Sequence, residues 1–264
     1  MPQVAIWTVG LSVLLGVVAV KTHSATLGAA GAGAAICASL MFSTVDFPYQ
    51  PWKTALVPVF VLLAITSMAT RAGRRHKEAL GTAEHKRGRG AAQAAANLGI
   101  AALASNQLVQ VWMIDSHWLS NAALAPLPIF APALAALSEA AADTVSSELG
   151  QVLSGHPRMI TTLHRAEPGT DGAVSWPGTL LGILAAGIVA CAGSVVLRGS
   201  VPMLSMLAIS WGGGVFGLFF DSLLGATLER RGWLNNDAVN FLSTASAAAF
   251  ALGMLAVLPH AGVG

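Results

Sequence analysis

VPMLSMLAISWGGGVFGLFFDSLLGATLERRGWLNNDAVNFLSTASAAAFALGMLAVL, residues 201–258, holds two apolar runs, 201–221 and 238–258, around a polar hairpin. Each run is about 20 residues long, the length an α-helix needs to cross the hydrocarbon of a bilayer. The charged residues fall at the ends, at Asp221 and between Glu229 and Asp237, so neither run has the charged face of a soluble helix. Both read as membrane helices.

The rest of the 264 residues agree: 55% of the chain is hydrophobic and 10% charged, against about 25% charged in ordinary soluble chains. This composition excludes a soluble globular domain, a disordered chain, a coiled coil and a disulfide scaffold. The 28 Gly suit helices that pack closely where lipid supplies no hydrophobic drive. Cys37 and Cys191 sit in apolar runs, AAICASL and IVACAGS, and read as packing residues.

Apolar stretches of membrane length fall at 4–20, 25–42, 54–70, 91–111, 126–147, 178–197, 201–221 and 238–258. The expected fold is therefore all-α, a polytopic bundle of about eight transmembrane helices in one domain, 1–264. No Lys or Arg precedes the first run, which reads as a span and not as a secretory signal. The fourth and fifth spans are the weakest, one interrupted by Asn97, Asn106 and Gln107, the other opening with Pro126, Pro128 and Pro132.

Basic residues test the count, because cytoplasmic loops collect Lys and Arg. Twelve fall in the odd-numbered loops, against Lys53 and Arg198 in the even ones. The odd loops are thus expected in the cytoplasm and both termini outside it, in the inner or cytoplasmic membrane. Used as topology markers, these residues imply no nucleic-acid partner. On this topology the span-end acids Glu139, Asp143 and Asp221 all lie at the cytoplasmic mouth.

The constellations at that mouth carry chemistry. SEAAADTVSSELG puts Glu139 and Asp143 four apart on one helical face, followed by Ser146, Ser147 and Glu148. Mg²⁺ takes one or two carboxylates, completed by water and phosphate oxygens; the competing reading is a helix end reaching water. The loop HPRMITTLHRAEPGTDGAVSWPG supplies forked donors at Arg158 and Arg165, hydroxyls at Thr161, Thr162 and Thr170, and a turn in which Gly169 and Gly172 let backbone N–H groups approach an anion. Arg89, Gln93 and Asn97 recur every four residues, making a polar face on the fourth span. Asp221 closes the seventh span, and Asn235, Asn236, Asp237 and Asn240 open the eighth, where Asn235 suits a helix cap. There is no GxxxxGK[ST] pattern and no zinc-like histidine spacing.

GRGAAQAAANLG, EAAADTVSSELG, PRMITTLHRAEPGTDGAVSWPGTL and FDSLLGATLERRGWLNNDAVNFLS, in this order, resemble the integral membrane family of transmembrane protein 19 and the plant and cyanobacterial phytyl-phosphate kinases. The likeness runs from about residue 80 to 258. It implies a kinase converting an isoprenoid monophosphate to the diphosphate, with CTP as donor and Mg²⁺ as cofactor. By motif it assigns Asp143 and Glu148 to one acidic element and Arg158, Thr161, Thr162, Gly169 and Thr170 to the loop. It assigns Asp221, Asn236, Asp237 and Asn240 to the last two elements.

The combined expectation is catalysis by Asp143, Asp221 and Arg158, with metal held by Asp143, Glu148, Asp221 and Asp237. Arg89, Gln93, Asn97, Ser147, Thr161, Thr162, Arg165, Gly169, Thr170, Gly172, Asn236 and Asn240 would bind nucleotide and lipid phosphate. The acceptor is expected to be a prenyl monophosphate and not the alcohol, since no His or Lys stands placed as a base. A cytidylyltransferase or polyprenol kinase is the near rival. A lipid or small-molecule transporter is the distant one, disfavoured because the polar residues gather at one end of the spans.

Overall fold

From Ala131 to Ala142 every side chain is buried. This stretch, APALAALSEAAA, opens helix α7 (Ala131–Leu153) of the computed structural model, which describes residues 2–46, 48–82, 90–115, 129–199 and 203–257. A helix built mainly of Ala has small side chains all round, so neighbours approach from every direction. Around α7 pack α3 (Leu56–Arg71), α5 (Ala91–Ser105), α8 (Trp176–Leu197), α9 (Met203–Leu224) and α10 (Asn236–Val257). Farther out, α1 (Pro2–Lys21) packs on α2 (Leu27–Thr44), and α2 on α5.

Glycines set the closest approaches. A Cβ at Gly182 of α8 would stand 2.8 Å from the Ala142 carbonyl of α7, and one at Gly214 of α9 would stand 2.7 Å from Ser138 Cβ. Thr244 of α10 donates to the Ala96 carbonyl of α5 at 3.1 Å. Helices α8 and α9 thereby close on one line of α7 residues, and α10 is tied to α5.

The fold is the expected all-α polytopic membrane bundle, and its count of eight spans is not confirmed by length and composition alone. Among the described residues five are long and apolar enough to cross a membrane: Gln3–Lys21, Leu27–Thr44, Trp176–Leu197, Met203–Glu229 and Asn236–Val257. A sixth arises if α3 and α4 (Arg74–Leu80), bent 61° apart, count together. The expected fourth span breaks at Asn106 into α5 and α6 (Gln107–Asp115), because the Asn106 backbone turns extended and its side chain caps Leu108 N at 2.9 Å. The fifth is α7, long enough to span but carrying Glu139, Asp143 and Glu148; residues 116–128 before it lie outside those described.

Two irregular pieces position the site. A π-helical turn, Gly225–Glu229, extends α9. Between α7 and α8, strands β1 (Arg158–Met159) and β2 (Ala173–Val174) pair antiparallel and close the intervening loop on itself.

Candidate functional site

Glu139, within the buried stretch of α7, is 1% exposed. Its neighbours across the helix contacts are Gly217 of α9, where a Cβ would clash with Glu139 Cγ, and Ser243 of α10. One turn on, Asp143 is only partly buried, and Asp221 stands on the facing side of α9. Both are the like-charged neighbours of Glu139. Glu139 Oε1 and Asp221 Oδ2 are buried with no hydrogen-bond partner. Ser243 of α10 hydrogen-bonds to both carboxyls, so each keeps one oxygen without a partner, a desolvation cost that a cation between the acids would offset.

Two further acids join this group. The π turn carries Glu229, and the glycine turn carries Asp171; both face Asp221 and each other. The carboxyls range in burial from exposed Asp171 through half-buried Glu229 and Asp221 to enclosed Glu139. No sequence signal marks a π turn, so Glu229 reads from the sequence as part of a charged hairpin. π turns recur at functional sites because they re-aim side chains within a continuous helix.

The loop from Pro157 to Val174 is built tightly. Met159 N donates to His164 O at 2.9 Å, Ile160 N to Gly172 O at 3.1 Å and Ala166 N to Pro157 O at 2.9 Å. Gly169 and Gly172 have φ of 85° and 73°, the left-handed region that side chains avoid. At Gly172 a Cβ would collide with the Ala226 backbone, so the loop lies directly on the π turn. Arg230, just past that turn, donates to Met159 Sδ at 3.5 Å. Motifs far apart in sequence are in this way brought to one end of the bundle.

The expected residues distribute as follows. Asp143 and Asp221 are brought together. Asn97 of α5 and Asn240 of α10 are buried, 8% and 6% exposed, on the two helices joined by Thr244, and Gln93 is half-buried a turn before Asn97. Arg165, Thr161 and Thr162 are exposed on the loop and Thr170 is half-buried. Arg158 is exposed too, but its Nη1 donates to the Leu163 carbonyl at 2.8 Å, so it also braces the loop. Asn236 is exposed at the start of α10, after Asn235 Oδ1 has capped Ala238 N at 2.9 Å. Ser147 is exposed on α7 and bonds back to the Thr144 carbonyl. Arg89 lies outside the described residues.

Two expected metal ligands stand elsewhere. Glu148 is paired through Oε2 with Lys77 Nζ at 2.5 Å. Five residues beyond Asp143, it is turned about 140° around the helix, onto another face. Asp237 sits in the first turn of α10, where the helix dipole favours a carboxylate. Among the described residues no three His, Cys, Asp or Glu side chains converge on one point. A cation here would rest on one or two carboxylates and fill its remaining positions with water and phosphate oxygens, the habit of Mg²⁺. The orphaned oxygens of Glu139 and Asp221 fit that role.

Comparison with known proteins adds to this geometry. A family model described as integral membrane protein DUF92 matches residues 10–248. An uncharacterized membrane protein of Synechocystis is 32% identical over 218 residues, covering 77% of this chain and 74% of that protein. Another, from Methanocaldococcus jannaschii, is 40% identical over 111 residues, 42% of this chain and 45% of the relative. The chloroplastic protein VTE6 of Arabidopsis thaliana is 27% identical over 199 residues, 73% of this chain and 57% of that protein. The match therefore spans about half the length of two of these three relatives. No solved structure matches.

Proposed function

The chain belongs to the integral membrane DUF92 family, the family of transmembrane protein 19 and the phytyl-phosphate kinases that its motifs resemble, and from that premise we propose that it phosphorylates a prenyl, phytyl-type, monophosphate at the expense of CTP. The observation that carries this reading is the pairing of a buried carboxylate group, with two orphaned oxygens, and a glycine turn rich in hydroxyls and arginines. Acids that need a cation and a loop that suits an anion together suit a metal-bound phosphate.

In the reaction an oxygen of the prenyl monophosphate attacks the γ-phosphorus of CTP. The bond from that phosphorus to the β–γ bridging oxygen breaks, CDP leaves, and the prenyl diphosphate forms. Such transfer needs positioning and charge neutralisation more than covalent chemistry. Asp221, with one of Asp143 and Glu139 beside it, would hold Mg²⁺, which when bound neutralises phosphate charge. Arg158 and Arg165 present forked donors, Thr161, Thr162 and Thr170 present hydroxyls, and the backbone at Gly169 and Gly172 admits an anion without steric conflict. Asn97 and Asn240 offer amides deeper in the bundle. The acceptor oxygen is already anionic near neutral pH, so no base is required. The prenyl tail would lie along the apolar faces of the helices, with its phosphate at the cytoplasmic mouth.

Purified protein given γ-labelled CTP and a panel of prenyl monophosphates and alcohols tests the proposal. Label in a prenyl diphosphate supports it. Label in a monophosphate made from the alcohol would move the protein to the polyprenol kinases, and transfer of CMP to the cytidylyltransferases. No transfer, with passage of the lipid across a vesicle, would make it a transporter.

A further inference from the structure

Lys77 is 1% exposed, although it lies in RRHKEAL, one of the most charged stretches of the chain. Its ammonium has three acceptors: Glu148 Oε2 on α7, the Ala69 carbonyl at 3.2 Å and the Thr70 carbonyl at 2.7 Å. Those two carbonyls belong to the last turn of α3, where a helix leaves its acceptors without their regular intrahelical partners; Ala69 O also accepts from Ala72 N at 3.2 Å. The bend follows at Ala72 and Gly73, with Gly73 left-handed at φ 62° and its Cα side packed on Val152 of α7. One cation therefore caps α3, fixes the angle of α4 and ties both to the far end of the acid-bearing helix.

Helix α4 passes that constraint on. Gly81 ends it in a left-handed cap, Thr82 N donates back to the Lys77 carbonyl at 3.0 Å, and the Thr82 methyl lies against Gly169, where a Cβ would stand 2.6 Å away. The glycine turn is thus gripped between Thr82 on one side and the π turn, at Ala226, on the other. Asp171 lies inside that grip and faces Asp221 and Glu229.

We propose that Lys77 and Glu148 are a positioning pair that, through α4 and Thr82, holds the Gly169–Gly172 turn over the acids of α7 and α9. Their effect on catalysis rests on the kinase reading; their hold on the loop does not. Three features favour a positioning role over simple stability. The pair is far more enclosed than the exposed Arg74–Glu78 pair on the same helix. Its ammonium occupies backbone carbonyls as well as a carboxylate, and the Lys77 carbonyl holds Thr82, which touches Gly169 of the loop that bears Arg158, Arg165 and Thr170.

Removing one partner strands a buried charge and endangers folding, so the test uses Lys77→Met/Glu148→Gln, which removes both charges at similar volume. Thr82→Gly, which deletes the methyl at Gly169, is the second variant. Trypsin cuts after Arg158 and Arg165, so the native loop carries its own probe, read by mass spectrometry on folded protein in detergent. Both variants should be cut there about tenfold faster than the unaltered chain, since cleavage follows the population of the open loop. In the kinase assay both should raise KM for CTP by about tenfold while kcat falls less, the pattern of lost binding geometry. Exchanging the charges, Lys77→Glu/Glu148→Lys, should not rescue either readout, because a carboxylate at 77 would face the Ala69 and Thr70 carbonyls. Native cleavage rates in Thr82→Gly, or in a folded double variant, overturn the proposal. Faster cleavage in a protein without kinase activity would leave the positioning intact and remove the kinase reading.

Discussion

Glu139 lies a full helical turn deeper than Asp143, shares its face, and ends in an oxygen with no partner. That makes it the residue most sensitive to a bound cation. Saturating Mg²⁺ should raise the melting temperature of the protein, by linkage worth about 2.7 kcal/mol at a hundredfold excess over Kd. Glu139→Gln should abolish that rise, and in the absence of metal should melt no lower than the unaltered chain, since it removes a buried acid from beside Asp143 and Asp221. A Mg²⁺ shift that persists in Glu139→Gln would take the cation away from this group. Asp143→Asn and Asp221→Asn should each reduce turnover on the order of 10²-fold or more with folding retained, as loss of a charge-stabilising group does. At this scale the sequence is partly legible. The four-residue spacing of Glu139 and Asp143 names a shared face. Reading Glu148 into the same site ignores the 100° that each residue turns, and the π turn that delivers Glu229 has no pattern in the residues that form it.

Elements are legible where a helix meets lipid and obscure where it meets protein. The apolar runs that become α1, α2, α8, α9 and α10 announce themselves because hydrocarbon demands about 20 apolar residues. Helix α7 is surrounded by other helices, so its side chains answer to packing, and small residues and acids replace the hydrophobic run. The break at Asn106 depends on a side-chain cap that also suits a continuous polar helix face. Glycine identities, by contrast, convert into stability forecasts. Gly182→Val would drive a branched side chain into the Ala142 carbonyl of α7 and should destabilise the bundle by about 1–3 kcal/mol, the cost of overpacking, seen as a lower melting temperature in detergent. At Gly253 of α10 a Cβ would meet nothing within 4 Å, so this position should accept Ala with little change. Equal effects at the two positions would contradict the packing of α7 against α8.

Across the whole molecule, α8, α9 and α10 are three consecutive long apolar helices, and their order dictates which connections share a side. The α7–α8 loop and the α9–α10 hairpin must lie together, which the contact of Gly172 with Ala226 and of Arg230 with Met159 requires independently. The α8–α9 connection must lie opposite. The charge asymmetry, twelve basic residues in the odd-numbered loops against Lys53 and Arg198, then predicts that the first two face the cytoplasm. In a background with Cys37 and Cys191 replaced by Ala, single cysteines at Thr162 and Arg231 should react with an impermeant thiol reagent from the cytoplasmic face, and one at Arg198 only from the other. Reaction of Thr162→Cys and Arg231→Cys from opposite faces would break the bundle as described. Reaction of both from the outer face would leave the bundle intact while reversing it, and would place the acids away from the cytoplasmic pool of CTP. The remaining parity, from α1 to α7, follows from the same labelling at Lys21 and Lys53. Lys21→Cys should react from the same face as Thr162→Cys, and Lys53→Cys from the same face as Arg198→Cys, because the positive residues of one side are held there by the same asymmetry that orients the last three helices.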